Sequence, residues 1–146
     1  MEPETLALRC RGEVVPGAAH HITLRGRRRR RVFFLDPDRR LFLRLLAGHA
    51  RKAGLVLHAW CLMDNHIHLV ATPMRAEAVG ATLERAGAAH AWALRRRTGL
   101  RGPVWEGSFM ARPLTGRTFA VAARYVELNP VRAGLVARPE DYPWSS

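Results

Sequence analysis

The sequence has little cysteine, almost no lysine and no long apolar run. Cys10 and Cys61 are its two cysteines and lie far apart, which argues against a disulfide framework or a cysteine-based zinc site. No apolar run approaches the roughly 20 residues of a membrane helix, so a transmembrane segment is excluded. The first residues include the acidic Glu2 and Glu4, whereas a secretory signal begins with basic residues followed by an apolar stretch. We therefore expect a cytoplasmic protein.

Basic residues outnumber acidic residues two to one. The chain has 24 Lys and Arg against 12 Asp and Glu, a net charge of +12 at pH 7, and Lys52 is its one lysine. A G+C-rich genome can account for the excess of arginine over lysine, but not for the net charge. Because the planar guanidinium suits bidentate contact with phosphate, the composition favours a nucleic acid as partner.

The length of 146 residues fits a single domain, residues 1–146, in which residues 1–19 look weakly organised. Apolar spacing and chain-breaking residues predict a βαββαβα order. The predicted strands are 20–26, 55–63, 66–72 and 108–114. The predicted helices are 36–53 with Asp36 as N-cap and Gly54 as its end, 76–97, and 118–128 stopped by Pro130.

This order most economically gives an α+β, ferredoxin-like fold. It would have a four-stranded antiparallel sheet, two helices on one face, and a trailing helix that carries Tyr125. The first and third strands would be central. His66 and His68 would then lie in the middle of the sheet.

The pattern His66-Ile67-His68 places two imidazoles on one face of a strand, because side chains two residues apart point the same way. The two rings could share one metal ion, or one could bind metal while the other contacts phosphate. A half-buried pair with purely structural hydrogen bonds gives the same pattern. The pattern alone does not decide between these interpretations.

The surroundings of the pair resemble a known family. The segment Met63–Val70 (MDNHIHLV), followed by 125–136 (YVELNPVRAGLV), resembles the HUH single-tyrosine transposases, in particular the REP-associated tyrosine transposases of bacteria. Further matches are 21–26 (HITLRG), 105–109 (WEGSF) and 141–146 (DYPWSS). The resemblance is collinear over about residues 14–146.

The resemblance implies a metal-dependent enzyme that nicks single-stranded DNA beside an imperfect hairpin, leaving a 5′-phosphotyrosine link and a free 3′-hydroxyl. It makes His66 and His68 metal ligands, Tyr125 the nucleophile, and Asn129, one helical turn later, a further ligand. It also implies Mg²⁺ or Mn²⁺, whereas imidazole ligands by themselves favour Zn²⁺ or Mn²⁺.

Two of these assignments have structural alternatives, and two positions depart from the family. Tyr125 could pack in the core along a stripe with Val121, and Asn129 could cap the helix end. The family usually has proline at the position of Asp64 and arginine at the position of Ser108. The second departure puts one DNA contact in doubt.

Clustered basic residues are the candidate DNA contacts, although such runs can also be solvated loops. The candidates are His21, Arg25, Arg27, Arg28, Arg29, Arg30, Arg31, Arg95, Arg96, Arg97 and Arg101. His21 has a second interpretation, since the first strand should neighbour the third and could bring it near the metal.

The sequence therefore predicts a metal-dependent transposase or endonuclease that nicks and rejoins single-stranded DNA with REP-like hairpins. Its location would be cytoplasmic and nucleoid-associated, without a membrane partner; the sequence does not indicate whether it forms homo-oligomers. One alternative is a domesticated hairpin-binding module without turnover. Another is an RNA-binding ferredoxin-like domain, which lacks here the aromatic strand signature of such modules.

Overall fold

The computed structural model describes residues 5–146, which form a five-stranded sheet and three α-helices. The strands are β1 (Arg9–Gly12), β2 (His20–Gly26), β3 (Leu55–Leu62), β4 (His66–Pro73) and β5 (Trp105–Pro113). The helices are α1 (Asp36–Ala53), α2 (Ala78–Thr98) and α3 (Gly116–Arg132), with short 3₁₀ turns at Arg27–Arg29 and Pro139–Asp141. None of the helices in this part of the chain is both long and apolar enough to cross a membrane.

The sheet has the order β1-β5-β2-β4-β3. The first and third predicted strands, now β2 and β4, are central and antiparallel, with Thr23 opposite His68. The α+β class and this central pairing are therefore confirmed.

The prediction of four strands was wrong, because β1 adds a fifth strand parallel to β5. It lies within the segment that we expected to be weakly organised. Its four residues are all exposed and carry no apolar alternation, so the sequence offers no strand signal there. Gly12 ends β1 at φ +101°, where a Cβ atom would stand 2.1 Å from the carbonyl oxygen of Ala111. Only glycine allows this close approach.

The two faces of the sheet are covered differently. Helices α1 and α2 pack over one face on the inward side chains Ile22, Leu24, Ile67 and Leu69. Helix α3 packs on the opposite face with Ala122 and Val126, against β3 and β4. Since α3 covers only this half, the β2–β5–β1 half of the same face stays open beside it.

The bounds of α2 and α3 differ from the prediction by one to four residues, and the cap of α1 differs as well. Asp36 is the first residue of α1 rather than its N-cap, and the side chain of Asp38 accepts the N–H groups of Phe34 and Leu35 instead, at 2.9 Å each. Helix α3 continues through Pro130 to Arg132. Proline disfavours a helical residue before it without forbidding one, and the ring of Pro130 is buried.

Candidate active site

The open face of the sheet brings His21 and His68 into contact. They lie on neighbouring central strands and on the same face, and His21 Nε2 is 3.0 Å from His68 Nδ1. The two rings stack with centroids 5.3 Å apart. Thr23 Oγ1 is 3.5 Å from the same Nδ1 atom, so this nitrogen of His68 faces two neighbours on β2.

His66 and His68 stand side by side on β4 with ring centroids 4.8 Å apart. His66 Nδ1 lies 2.6 Å from Asn65 Oδ1, and because an amide oxygen can only accept, the imidazole N–H donates. In both rings Nδ1 is thus engaged, and no hydrogen bond within residues 5–146 involves Nε2. His66 therefore offers the lone pair of Nε2, and His68 does so in the tautomer in which its Nδ1 donates to His21, the arrangement in which an outer hydrogen bond orients a metal-binding histidine.

The site keeps these histidines uncharged. Burial, then the charge of Arg25, lowers the pKa of His66 to about 4. Burial and the neighbouring histidines, with Arg25, lower the pKa of His68 to about 3. Burial, then Arg112, lowers the pKa of His21 as well. Neutral imidazole is the form that binds metal, so no proton has to be displaced at neutral pH.

Tyr125 faces this cluster from α3. Its ring lies 5.9 Å from the rings of both His21 and His68, edge-on in each case, and the guanidinium of Arg132 lies 4.4 Å from its centroid. Tyr125 is 38% exposed and Val121 is 68% exposed. The alternative of a core tyrosine on a stripe with Val121 was therefore wrong.

Asn129 lies inside α3, one turn after Tyr125, since its carbonyl accepts the N–H of Ala133. It does not end the helix, and the helix-cap alternative was wrong. Its Nδ2 atom is buried without a hydrogen-bond partner. A buried amide without a partner is costly, so this side chain is suited to an additional ligand, and rotation of the amide would offer its oxygen.

The donors fit a metal ion only as a mixed set. Within residues 5–146, no group of three or more His, Cys, Asp or Glu is placed to hold one. The neighbouring rings of His66 and His68 supply two neutral donors, and the Asn129 amide, one turn after Tyr125, is a further candidate. Such a set suits an ion that takes its other ligands from substrate or water.

A basic cavity of about 580 Å³ opens next to Tyr125. Four arginines line it, namely Arg11, Arg25, Arg29 and Arg112, together with one carboxylate, that of Glu106. His21, His68 and Tyr125 form part of the same wall. The cavity therefore presents positive charge and a phenol to an anionic ligand.

Comparisons with known proteins show which family the chain belongs to. The family model of IS200-like transposases matches residues 14–129. The chain belongs to this family. The resemblance to single-tyrosine transposases is thus confirmed, and the protein is a member of a family of DNA-acting transposases.

Two solved structures are similar to this transposase-family chain. A REP-associated tyrosine transposase bound to a REP hairpin shares the fold, with a TM-score of 0.71, 20% identity, and 92% of this chain and 79% of that chain covered. A candidate transposase from Deinococcus radiodurans R1 matches with a TM-score of 0.49 and 24% identity over 75% of this chain and 88% of that chain. No curated protein matches the chain significantly.

The predicted DNA-contacting residues of this family member fall into separate groups. Of the run 27–31, Arg29 lines the cavity beside Arg25, whereas Arg31 lies 3.8 Å from a carboxylate oxygen of Asp64 and stacks on Phe34. Arg27, Arg28 and Arg30 are exposed. His21 contacts His68 and also forms part of the cavity wall.

The predicted DNA-contacting arginines at and after the end of α2 also differ in their surroundings. Arg97 forms a two-oxygen ion pair with Asp38 at 2.6 and 2.7 Å, which joins α1 to α2. Arg96 is exposed and stacks on Trp92 at 4.8 Å. Arg95 Nε donates to the carbonyl of Gly102, and Arg101 is exposed in the following loop.

Sequence reasoning missed Arg11 and Arg112. Arg112 shares a face of β5 with Ser108 and Met110, and the alternation of side chains along this strand could have revealed it. Arg11 lies on β1, which had no detectable signal. Their charges lie in the same cavity as Ser108, where the family usually has arginine.

The other departure, Asp64, has a structural role. Its carboxylate pairs with the buried Arg39, and its carbonyl accepts the N–H groups of Val32 and Phe33. An aspartate here therefore ties the turn before His66 to the segment that precedes α1.

Proposed function

We propose that the protein is a metal-dependent transposase or endonuclease of the REP-associated group. It nicks and rejoins single-stranded DNA near hairpins through a 5′-phosphotyrosine at Tyr125. The observation that carries this proposal is the approach of Tyr125 to two neutral histidines at the rim of an arginine-lined cavity.

In this proposal His66, His68 and Asn129 hold Mg²⁺ or Mn²⁺. When bound, the ion polarises the phosphoryl oxygens and offsets the charge that repels a nucleophile. Asn65 keeps His66 in the tautomer that presents Nε2, and His21 does the same for His68 when His68 Nδ1 donates. The neutral state of both rings leaves the site ready for the ion at neutral pH.

Tyr125 supplies covalent catalysis. Its phenolic oxygen forms a bond to phosphorus as the bond from phosphorus to the 3′ oxygen breaks. The phenol gives up its proton, and the departing oxygen takes one up as a 3′-hydroxyl. Because the new link is still a phosphodiester, a later attack by another 3′-hydroxyl rejoins DNA without ATP. Arg132, stacked on the ring, holds the phenol in place and adds positive charge beside the incoming phosphate.

The partner in this proposal is single-stranded DNA that carries REP-like hairpins. Arg11, Arg25, Arg29 and Arg112 line the path to Tyr125 and would bind the phosphates of the strand. The solved relative with the same fold is bound to a REP hairpin, which supports a hairpin as the double-stranded part of the partner DNA.

The test is incubation of the purified protein with end-labelled single-stranded DNA from the flanks of its own gene, with Mn²⁺ or EDTA. We expect a metal-dependent nick at one position beside a hairpin. Cleavage that continues in EDTA would contradict the proposal.

A hairpin-binding module without turnover is the second candidate. The observation in its favour is Ser108, which leaves the cavity without the arginine that the family usually has there. Tight hairpin binding with no nick at any Mn²⁺ concentration would select this candidate over the enzyme.

A further inference from the structure

One side chain connects the arginine turn, residues 27–31, to His66. Asn65 Oδ1 is 2.6 Å from His66 Nδ1, and Asn65 Nδ2 donates to the carbonyl of Arg29 at 3.2 Å. A carbonyl can only accept, so the amide nitrogen must face Arg29 and the amide oxygen must face His66. The two hydrogen bonds therefore depend on a single orientation of the Asn65 amide.

The arginine turn has a conformation that only its surroundings can maintain. Arg28 and Arg29 have φ values of 53° and 60°, in the left-handed region that side chains rarely adopt. Gly26 directly precedes the turn, and a Cβ atom there would stand 2.2 Å from the carbonyl oxygen of Arg30. The turn is thus tightly closed and strained.

Hydrogen bonds to two other segments keep the turn in place. The N–H groups of Arg27 and Arg28 donate to the carbonyl of Val104 at 2.9 Å and to Glu106 Oε1 at 2.8 Å. On the other side, the N–H of Gly26 donates to the carbonyl of Asn65 at 2.8 Å, and the side chain of Asn65 donates to the carbonyl of Arg29. Because Asn65 makes both bonds on that side, a shift of the turn is transmitted to this residue.

The same turn carries charges that face a ligand. Arg27, Arg28, Arg29 and Arg30 are exposed, and Arg29 lines the basic cavity beside Tyr125. A polyanion in the cavity would engage the turn directly, and a strained turn is an element whose conformational equilibrium such a ligand can shift.

We propose that Asn65 is a positioning residue that couples the binding of DNA at the arginine turn to the binding of metal at His66. The inference rests on the proposed function, in which His66 is a ligand and DNA occupies the cavity. When DNA stabilises the turn, Arg29 keeps the Asn65 amide oriented, and the amide keeps His66 in the tautomer that presents Nε2. Coupling of this kind is reciprocal, so metal strengthens DNA binding by the same factor.

Two substitutions separate the two hydrogen bonds. Asn65→Ala removes both, whereas Asn65→Asp keeps an acceptor for His66 and loses the donor to Arg29. We expect Asn65→Ala to bind Mn²⁺ about 10-fold more weakly, the lower range for loss of such an outer partner. We expect Asn65→Asp to bind Mn²⁺ about as tightly as the wild type does without DNA, and we expect DNA not to tighten this binding.

The measurement is a titration of the free Mn²⁺ signal by electron paramagnetic resonance, with and without a hairpin oligonucleotide that carries a single-stranded flank. A His66→Ala/His68→Ala variant with the same DNA gives the binding by phosphates alone, which is subtracted. In the wild type we expect DNA to tighten Mn²⁺ binding about 5-fold or more. Both Asn65 variants should reduce this factor to about one.

The outcomes distinguish the inference from the proposed function. If the wild type takes up no more Mn²⁺ than the double histidine variant, the metal site itself is wrong. If wild type and both Asn65 variants show the same enhancement by DNA, the coupling role of Asn65 is wrong while the metal site stands. Should Asn65→Ala fail to fold, Asn65→Asp and Asn65→Ser decide the question by the same titration.

Discussion

His21 and His68 are joined across the two central strands, with Nε2 of the first 3.0 Å from Nδ1 of the second. The antiparallel register places Thr23 directly opposite His68. His21 lies two residues from Thr23 along β2, opposite Val70, and therefore on the same face. The contact therefore follows from strand pairing, and it gives His68 the kind of outer partner that Asn65 gives His66.

Loss of this partner should weaken the site in a specific way. We expect His21→Ala to raise the Mn²⁺ concentration for half-maximal nicking about 10-fold, with hairpin affinity nearly unchanged. Thr23→Val is the matched control, because its hydroxyl is farther from the same nitrogen, at 3.5 Å. A larger effect at Thr23 than at His21 would contradict this role of His21.

The two low pKa values predict a loss of stability in acid. Burial, with the charge of nearby basic residues, lowers the pKa of His66 to about 4 and that of His68 to about 3, from an ordinary value of 6.5. Between pH 6.5 and about 4 the unfolded chain binds more protons than the folded one, so stability falls as pH falls through this window. Each histidine contributes up to about 1.4 kcal/mol per pH unit.

Urea denaturation at pH 7, 6 and 5 measures this decline. A His66→Asn/His68→Asn variant should lose stability less steeply than the wild type. His90, whose pKa burial lowers to about 4, is present in both proteins and cancels in the comparison. Equal slopes for the two proteins would contradict the assigned protonation states.

Arg112 should contribute to DNA affinity through phosphate contact. We expect Arg112→Ala to weaken binding of the single-stranded flank and to reduce the slope of log affinity against log salt by about one. Arg44→Ala is the control, since Arg44 is exposed on α1, which packs on the opposite face of the sheet. Affinities are measured by fluorescence anisotropy. Equal slopes of log affinity against log salt for the two variants would contradict the binding of DNA in the cavity.

Arg96 and Arg97 should separate into binding and stability roles. Arg97→Ala breaks the ion pair with Asp38 and should cost about 1–2 kcal/mol of unfolding free energy, after allowance for solvent at the half-exposed guanidinium. Arg96→Ala removes only the exposed stack on Trp92 and should weaken hairpin binding with little change in stability. Denaturation and anisotropy on both variants check this, and the reverse pattern would contradict it.

Much of the fold could be predicted because its signals are local. Strand β2 was predicted with the observed bounds, and the start of β4 at His66 follows from the alternation that places both histidines on one face. Strand β1 could not be predicted, since four exposed residues stabilised by pairing with β5 carry no pattern of their own. The extent of α3 was missed because burial of Pro130 outweighs its local preference.

The site was predicted in part. His66, His68 and Tyr125 were singled out by the resemblance, and the structure brings His68 and Tyr125 together. The cavity residues Arg11 and Arg112 depend on the order of strands in the sheet. The spacing of residues along the chain does not show which strands are neighbours, so it could not predict this placement. The hydrogen bonds of Asn65 and His21 could not be predicted for the same reason.

The most direct test of the account is the identity of the residue that becomes attached to DNA. The chain has two tyrosines. Tyr125 is 38% exposed beside His68, whereas Tyr142 is 8% exposed and donates to the carbonyl of Leu62. Burial raises the pKa of Tyr142 to about 12, so its hydroxyl stays protonated at neutral pH and out of reach of DNA.

The experiment uses end-labelled single-stranded DNA, Mn²⁺, a denaturing gel and peptide mapping of the product. We expect a 5′-phosphate adduct on Tyr125 in the wild type and in Tyr142→Phe, the second with lower stability. We expect Tyr125→Phe to bind the hairpin normally and to form no adduct. An adduct that persists in Tyr125→Phe, or one attached through a 3′-phosphate, would contradict the account.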